Sequence, residues 1–328
     1  MIPIREALIG GVLPGAIATL ALFFAGLAIA LRRGRRPSTL TPAGKPEPVC
    51  PSGWLERGLV LLATLLAGAG VVLSMRTLEP YPGWWPLGIN NRTPAMVGFG
   101  AIAAAIIAAG PRRWWFALPV CLVGAGAISY GVREPLPATG NLPLAIALDA
   151  LAIGLPAFLI HSLLDRASDG DRGRLARPLP IVALTIALGP AALAIFHSGS
   201  SVSARQFGVV PAVLVSAAIV LAIFDNPGGR VALRGVGVLV AMAIGVWLLV
   251  GRTLGSPNLT TPAVVLLLLA AAGSGVAAFF MPRLKRWWAP ALLTLALVGA
   301  PVGAAAFVQH QAATAGDDSG GSPADYGY

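Results

Sequence analysis

Residues Thr261 to Val308 read TPAVVLLLLAAAGSGVAAFFMPRLKRWWAPALLTLALVGAPVGAAAFV. Two apolar runs, 262–281 and 287–308, are separated by Pro282, Arg283, Lys285 and Arg286, and Trp287 and Trp288 open the second run. Each run has about the ~20 residues that a helix needs to cross a ~30 Å hydrocarbon core. Strands of a membrane barrel would alternate in polarity over ~10-residue segments, and these runs do not alternate. Inside lipid every backbone group must be bonded within its own segment, which a continuous helix achieves. Basic residues and tryptophan gather where such a chain returns to the interface. The stretch therefore predicts a hairpin of two membrane-spanning helices.

The same pattern recurs upstream. Apolar stretches at 8–31, 58–75, 94–110, 114–130, 143–164, 178–197, 207–224 and 234–250 bring the total to ten. The predicted fold class is all-α, a polytopic integral membrane protein with about ten transmembrane helices. The chain of 328 residues is 56% hydrophobic and 11% charged, with a mean hydropathy of +0.80. Soluble domains carry roughly 25% charged residues, and a chain this apolar needs lipid as a second solvent. The run from Leu8 to Leu31 is long for a signal peptide, and Arg32, Arg33, Arg35 and Arg36 follow it instead of preceding it. It reads as a retained first helix.

The formal charge of +10 does not imply a nucleic-acid partner, because the cations sit at span ends and not along one soluble face. Of the 23 Lys and Arg, 17 fall in the odd-numbered connections and 6 elsewhere. The positive-inside rule then places the odd connections in the cytoplasm. Both termini are expected outside a plasma or inner membrane, with 311–328 as a disordered outer tail. The expected partners are the bilayer and other membrane subunits.

Five anchors occur twice, in the same order. Pro14 matches Pro211; Arg57-Gly58 matches Arg234-Gly235; Arg76-Thr77-Leu78 matches Arg252-Thr253-Leu254. The sequences around Asn91 and Asn258 both lead into Thr-Pro-Ala, and Trp114-Trp115 matches Trp287-Trp288. The copies lie an even number of spans apart, so they insert in the same direction. This predicts a parallel duplication of a four-helix unit arranged 4+2+4. Its parts are repeat 1 over 1–130, a linker pair over 131–206, and repeat 2 over 207–310.

Chemistry-bearing residues are few. Asp149 is the one acidic residue well inside a span. A charge at mid-bilayer costs at least ~2.5–3.5 kcal/mol, so it is expected to face a cavity or a partner. His197 ends the sixth span on the same side and is a proton-relay candidate beside it. Arg76, Arg252, Asn91 and Asn258 are candidates for an outer binding surface, the arginines suiting an anionic group. His161, near Asp165 at the inner end of span five, reads as interfacial. Of the three histidines, only His197 and His310 fall at one depth, and no His-x-x-x-His or Glu-x-x-His pair places two ligands on one helix face, so no metal or cofactor is expected. No catalytic residue set is recognisable, so whether the chain is an enzyme stays open, and a membrane enzyme using Asp149 and His197 is the least favoured reading. Two functions fit: a permease-like protein for a small or lipid-like solute, or a non-catalytic scaffold subunit of a larger membrane complex. A permease predicts a cavity faced by Asp149, and a scaffold predicts a closed interior.

Overall fold

A computed structural model describes residues 12–34, 51, 53–78, 89–134, 141–169, 176–198, 206–224, 230–254 and 258–317. Among the described residues the chain is helical, without strands. The helices are α1 (Leu13–Gly34), α2 (Trp54–Leu78), α3 (Ile89–Ala109), α4 (Trp114–Arg133) and α5 (Leu142–Asp169). They continue with α6 (Leu179–His197), α7 (Val209–Ile223), α8 (Val236–Leu254) and α9 (Thr261–Phe280). The last, α10, comprises Ala289–Thr294, a π-helical turn Leu295–Gly299, and Ala300–Asp317. It runs to Asp317, so helix occupies the first part of the stretch expected as a tail.

Among the described residues, nine helices are long and apolar enough to cross a membrane. The exception is α7, with 15 residues, which at 1.5 Å per residue gives ~22 Å. Gln206, just before α7, accepts a hydrogen bond from Trp247 Nε1, two turns before the end of α8 (3.1 Å). Arg230, beyond the other end of α7, donates to the Ser168 carbonyl at the far end of α5 (2.8 Å). The two bonds tie the flanks of the short helix to α8 and α5.

The outer surface is apolar. Val123, Ile186 and Phe279 are 74%, 62% and 62% exposed, a pattern that soluble monomers avoid over large areas and lipid favours. Side chains at the helix ends bond to one another in two separate sets. One end carries Arg33–Glu56, Arg112–Asp165 and the bonds of Arg230 and Arg234. The other carries Arg92–Glu134, Arg133–Asp149 and the bonds of Arg252. Trp54, Trp114, Trp115, Trp287 and Trp288 all belong to the first, more basic end and are exposed, as an interfacial belt requires.

The middle of the bundle is α8. Every residue from Val231 to Trp247 is buried, and α8 packs mainly on α5 and α3. Such enclosure demands close backbone approach, which small residues provide. A Cβ on Gly237 would lie 2.8 Å from the Cα of His161 in α5. The two sets of anchors do not share one packing. Helices α1, α2 and α3 pack in sequence, whereas α5 lies against both α8 and α9, which meet each other through Arg252 and Thr261.

Gly237→Ala is expected to destabilise the protein by ~1–3 kcal/mol, because the methyl group meets backbone that cannot rotate away. At Gly58 a Cβ meets nothing within 4 Å, so Gly58→Ala should be neutral or stabilising by ~0.5–1 kcal/mol. Thermal unfolding of the detergent-purified variants compares them, and equal midpoints would contradict this packing.

Candidate functional site

Helix α5 opens at Asn141, whose side-chain Oδ1 accepts the Leu144 amide (3.2 Å), a capping arrangement that fixes the first turn. Two turns on, Asp149 faces α4. Oδ2 of Asp149 accepts hydrogen bonds from Ser129 Oγ (2.6 Å) and Arg133 Nε (2.5 Å), and Oδ1 accepts one from Arg133 Nη2 (3.2 Å). Ser129 and Arg133 are four residues apart on α4 and share a face. A forked guanidinium–carboxylate pair of this kind is what permits a charge at such a depth.

Asp149 also lines an interior cavity of about 130 Å³ between α5, α6, α8, α9 and α10. The walls are apolar, formed by Ile153, Ile160, Leu188, Ile244, Leu248 and Val298 among others. Val298 belongs to the π-helical turn of α10, and π-helical turns are frequent at functional sites. Among the described residues three polar side chains line the cavity: Asp149, Arg252 and Ser274. Ser274 Oγ donates to the Ala271 carbonyl (2.6 Å), so it adds little polarity. Arg252 donates from Nη1 to the Leu259 carbonyl (2.6 Å) and from Nη2 to Thr261 Oγ1 (3.1 Å). Among the described residues no carboxylate pairs with it. The charged end of the cavity therefore combines a neutralised Asp149 with a cation held by neutral groups.

The other candidates fall elsewhere. His197 does not line the cavity; its ring stacks on His310 with centroids 4.7 Å apart. Asp149 bonds to Arg133 and Ser129 and not to His197, so the structure brings no Asp149–His197 pair together. Asn258 is exposed, and its carbonyl accepts from Gln309 Nε2 (3.3 Å). Arg76 ends α2 and does not line the cavity. Asn91 is part of α3; its side chain and the loop 79–88 lie outside the described residues.

Two groups of residues emerge that the sequence reading missed. Gln309 is fully buried, accepts the Thr260 amide at Oε1 (2.9 Å), and reaches the carbonyls of His197 and Asn258. It ties α6, α10 and the connection between α8 and α9 together. At the basic end, His161 is buried where it was expected at the interface. Asp165, one turn on, pairs with Arg112 Nε (2.5 Å), and Arg234 spans to the carbonyls of Ala108 (3.3 Å) and Gly110 (3.0 Å). The four-residue spacing of His161 and Asp165, with arginines at the tight hairpin and before α8, is the signal that could have located this cluster.

A scan against family models found no match, and searches of curated proteins and of solved structures found none either. Fold and site define a class only: a bundle of apolar helices with the composition of a multi-pass membrane protein, enclosing an apolar cavity charged at one end.

Removing one partner of the Arg133–Asp149 pair should destabilise more than removing both. Arg133→Met and Asp149→Leu are each expected to cost ~1–3 kcal/mol, since they leave a lone charge in an apolar setting. The double variant should recover most of that loss. If the two single losses add, as thermal unfolding would reveal, the pair is not coupled in the folded protein.

Proposed function

We propose that the chain is a permease-like membrane protein for a small, lipid-like solute. The observation that carries this reading is the interior cavity, with Asp149 and Arg252 at one end and aliphatic walls below. A non-catalytic scaffold has no use for an interior space of this kind. The walls offer almost no hydrogen-bonding groups, which disfavours sugars and ions and suits an apolar cargo. Catalysis by Asp149 and His197 is disfavoured because neither side chain contacts the other.

In this reading the chain crosses the membrane ten times, α7 included, in a plasma or inner membrane. The basic end faces the cytoplasm and both termini face outward, following the excess of cations in the odd connections. The repeated anchors support a parallel duplication in which α5 has entered the second copy between α8 and α9. The cavity then occupies the place where that copy is parted. Arg76 and Asn258, which do not line the cavity, would contribute with Asn91 to an outer surface above it.

Two measurements test these statements. A Gly173→Cys variant in a Cys50→Ser background should resist membrane-impermeant maleimide in intact cells and react after permeabilisation. Labelling without permeabilisation would reverse the orientation. In proteoliposomes, transfer of a fluorescent monoacyl lipid between leaflets, followed by dithionite quenching, should exceed that of empty vesicles. Asp149→Asn should abolish the excess at unchanged expression. A wild-type rate no faster than empty vesicles, or an Asp149→Asn rate equal to wild type, sinks the permease reading or the role of Asp149 respectively.

A further inference from the structure

The cavity has a neighbour on the lipid-facing surface. An apolar groove of about 330 Å³ runs along the outside of the bundle between α5 and α9. Ala152, Pro156, Leu268 and Ala271 line both the groove and the interior cavity. The partition between outside and inside is therefore a single layer of side chains, two of them only methyl groups. Pro156 weakens it further, because proline cannot donate a hydrogen bond to the carbonyl four residues earlier, that of Ala152. On the outer side Leu148 and Leu151 are 58% and 55% exposed, forming the kind of surface that acyl chains cover.

Dimensions and charge narrow the occupant. Asp149 and Ile160 both line the cavity and lie three helical turns apart on α5, which is ~16 Å, about half of the ~30 Å hydrocarbon core. The space thus has the depth of one leaflet. The head-group end carries net positive charge, because Arg133 neutralises Asp149 and no carboxylate among the described residues pairs with Arg252. A cavity of about 130 Å³ is too small for a diacyl lipid, and a single narrow chain fits only with part of its tail lying in the adjoining groove of about 330 Å³.

We propose that the α5–α9 seam is a lateral port, through which a single-chain amphiphile with an anionic head group enters from the surrounding leaflet. Its tail passes between Ala152, Pro156, Leu268 and Ala271, and its carboxylate or phosphate comes to rest against Arg252. The proposal deepens the permease reading and rests on its placement of the chain in lipid, but binding through the seam does not require net transport.

The test uses the full chain in phosphatidylcholine nanodiscs, with a diazirine-bearing long-chain fatty acid and the matching fatty alcohol as probes. Photolabelling by the acid should map to α5, α9 or α10 and exceed labelling by the alcohol by about tenfold, equivalent to ~1.4 kcal/mol. Arg252→Gln should bring the acid down to the level of the alcohol, and Arg252→Lys should retain the preference. Ala271→Trp and Leu268→Trp, each checked for an unchanged melting profile, should fill the partition and remove labelling. Competition by unlabelled fatty acid and by monoacylglycerol phosphate separates the two sources of the anionic head, and monoacyl phosphocholine should not compete. Equal labelling by acid and alcohol, or labelling undiminished in either tryptophan variant that retains its fold, overturns the proposal. Leaflet transfer is measured on the same variants. Labelling without transfer upholds the port and sinks the permease reading, whereas transfer that ignores both tryptophan substitutions sinks the port alone.

Discussion

A helix enclosed on all sides by other helices can use no hydrophobic driving force that its neighbours do not also feel from lipid. Its place in the bundle is held by close packing and by the few polar bonds at its ends. That constraint governs α8. Gly237 lets the backbone of α5 approach, and Gly100 of α3 faces the Met242 side chain. At one end Arg234 reaches the carbonyls that close the α3–α4 hairpin, and two turns before the other end Trp247 reaches Gln206. Because α8 is fixed against α3 and α5, α9 must pack elsewhere, and the interior space follows from that separation.

Much of the architecture could be read in the sequence because the bilayer imposes a length and a polarity on each segment. The apolar runs and their basic flanks locate α1 to α6, α8 and α9 within about five residues, whereas α10 runs to Asp317, well past the expected end at 308. The described α7 is the exception, since it has only 15 residues, and the bonds of Gln206 and Arg230 tie its two flanks to α8 and α5. The repeated anchors could be seen, but not that α5 parts the second set, since nothing in an aliphatic run records which helix it touches.

The site was partly legible for a similar reason. Asp149 stood out because a carboxylate amid leucine and alanine must be satisfied by something, and Arg252 because it ends a span on the same side. Their shared cavity and the Arg133 partner did not stand out. An arginine at the end of a helix has an adequate explanation as a topology signal, and that explanation concealed its bond. The same reasoning hid Arg112 and Arg234, and with them the burial of His161. Gln309 escaped notice because a neutral amide near a helix terminus carries no energetic alarm until its surroundings are known.

The π-helical turn in α10 sets the rotational phase of everything after it. Successive residues of a helix are ~100° apart around its axis, so the one extra residue accommodated at Leu295–Gly299 decides which way the remaining turns point. Val302 faces the cavity and Gln309 clasps three backbone groups only in that phase. The far end of the helix is in effect indexed by a single amino acid. Deleting or adding one between Thr294 and Ala300 would swing the clasp about a quarter-turn away from α6 and α9, with no residue of the clasp itself altered.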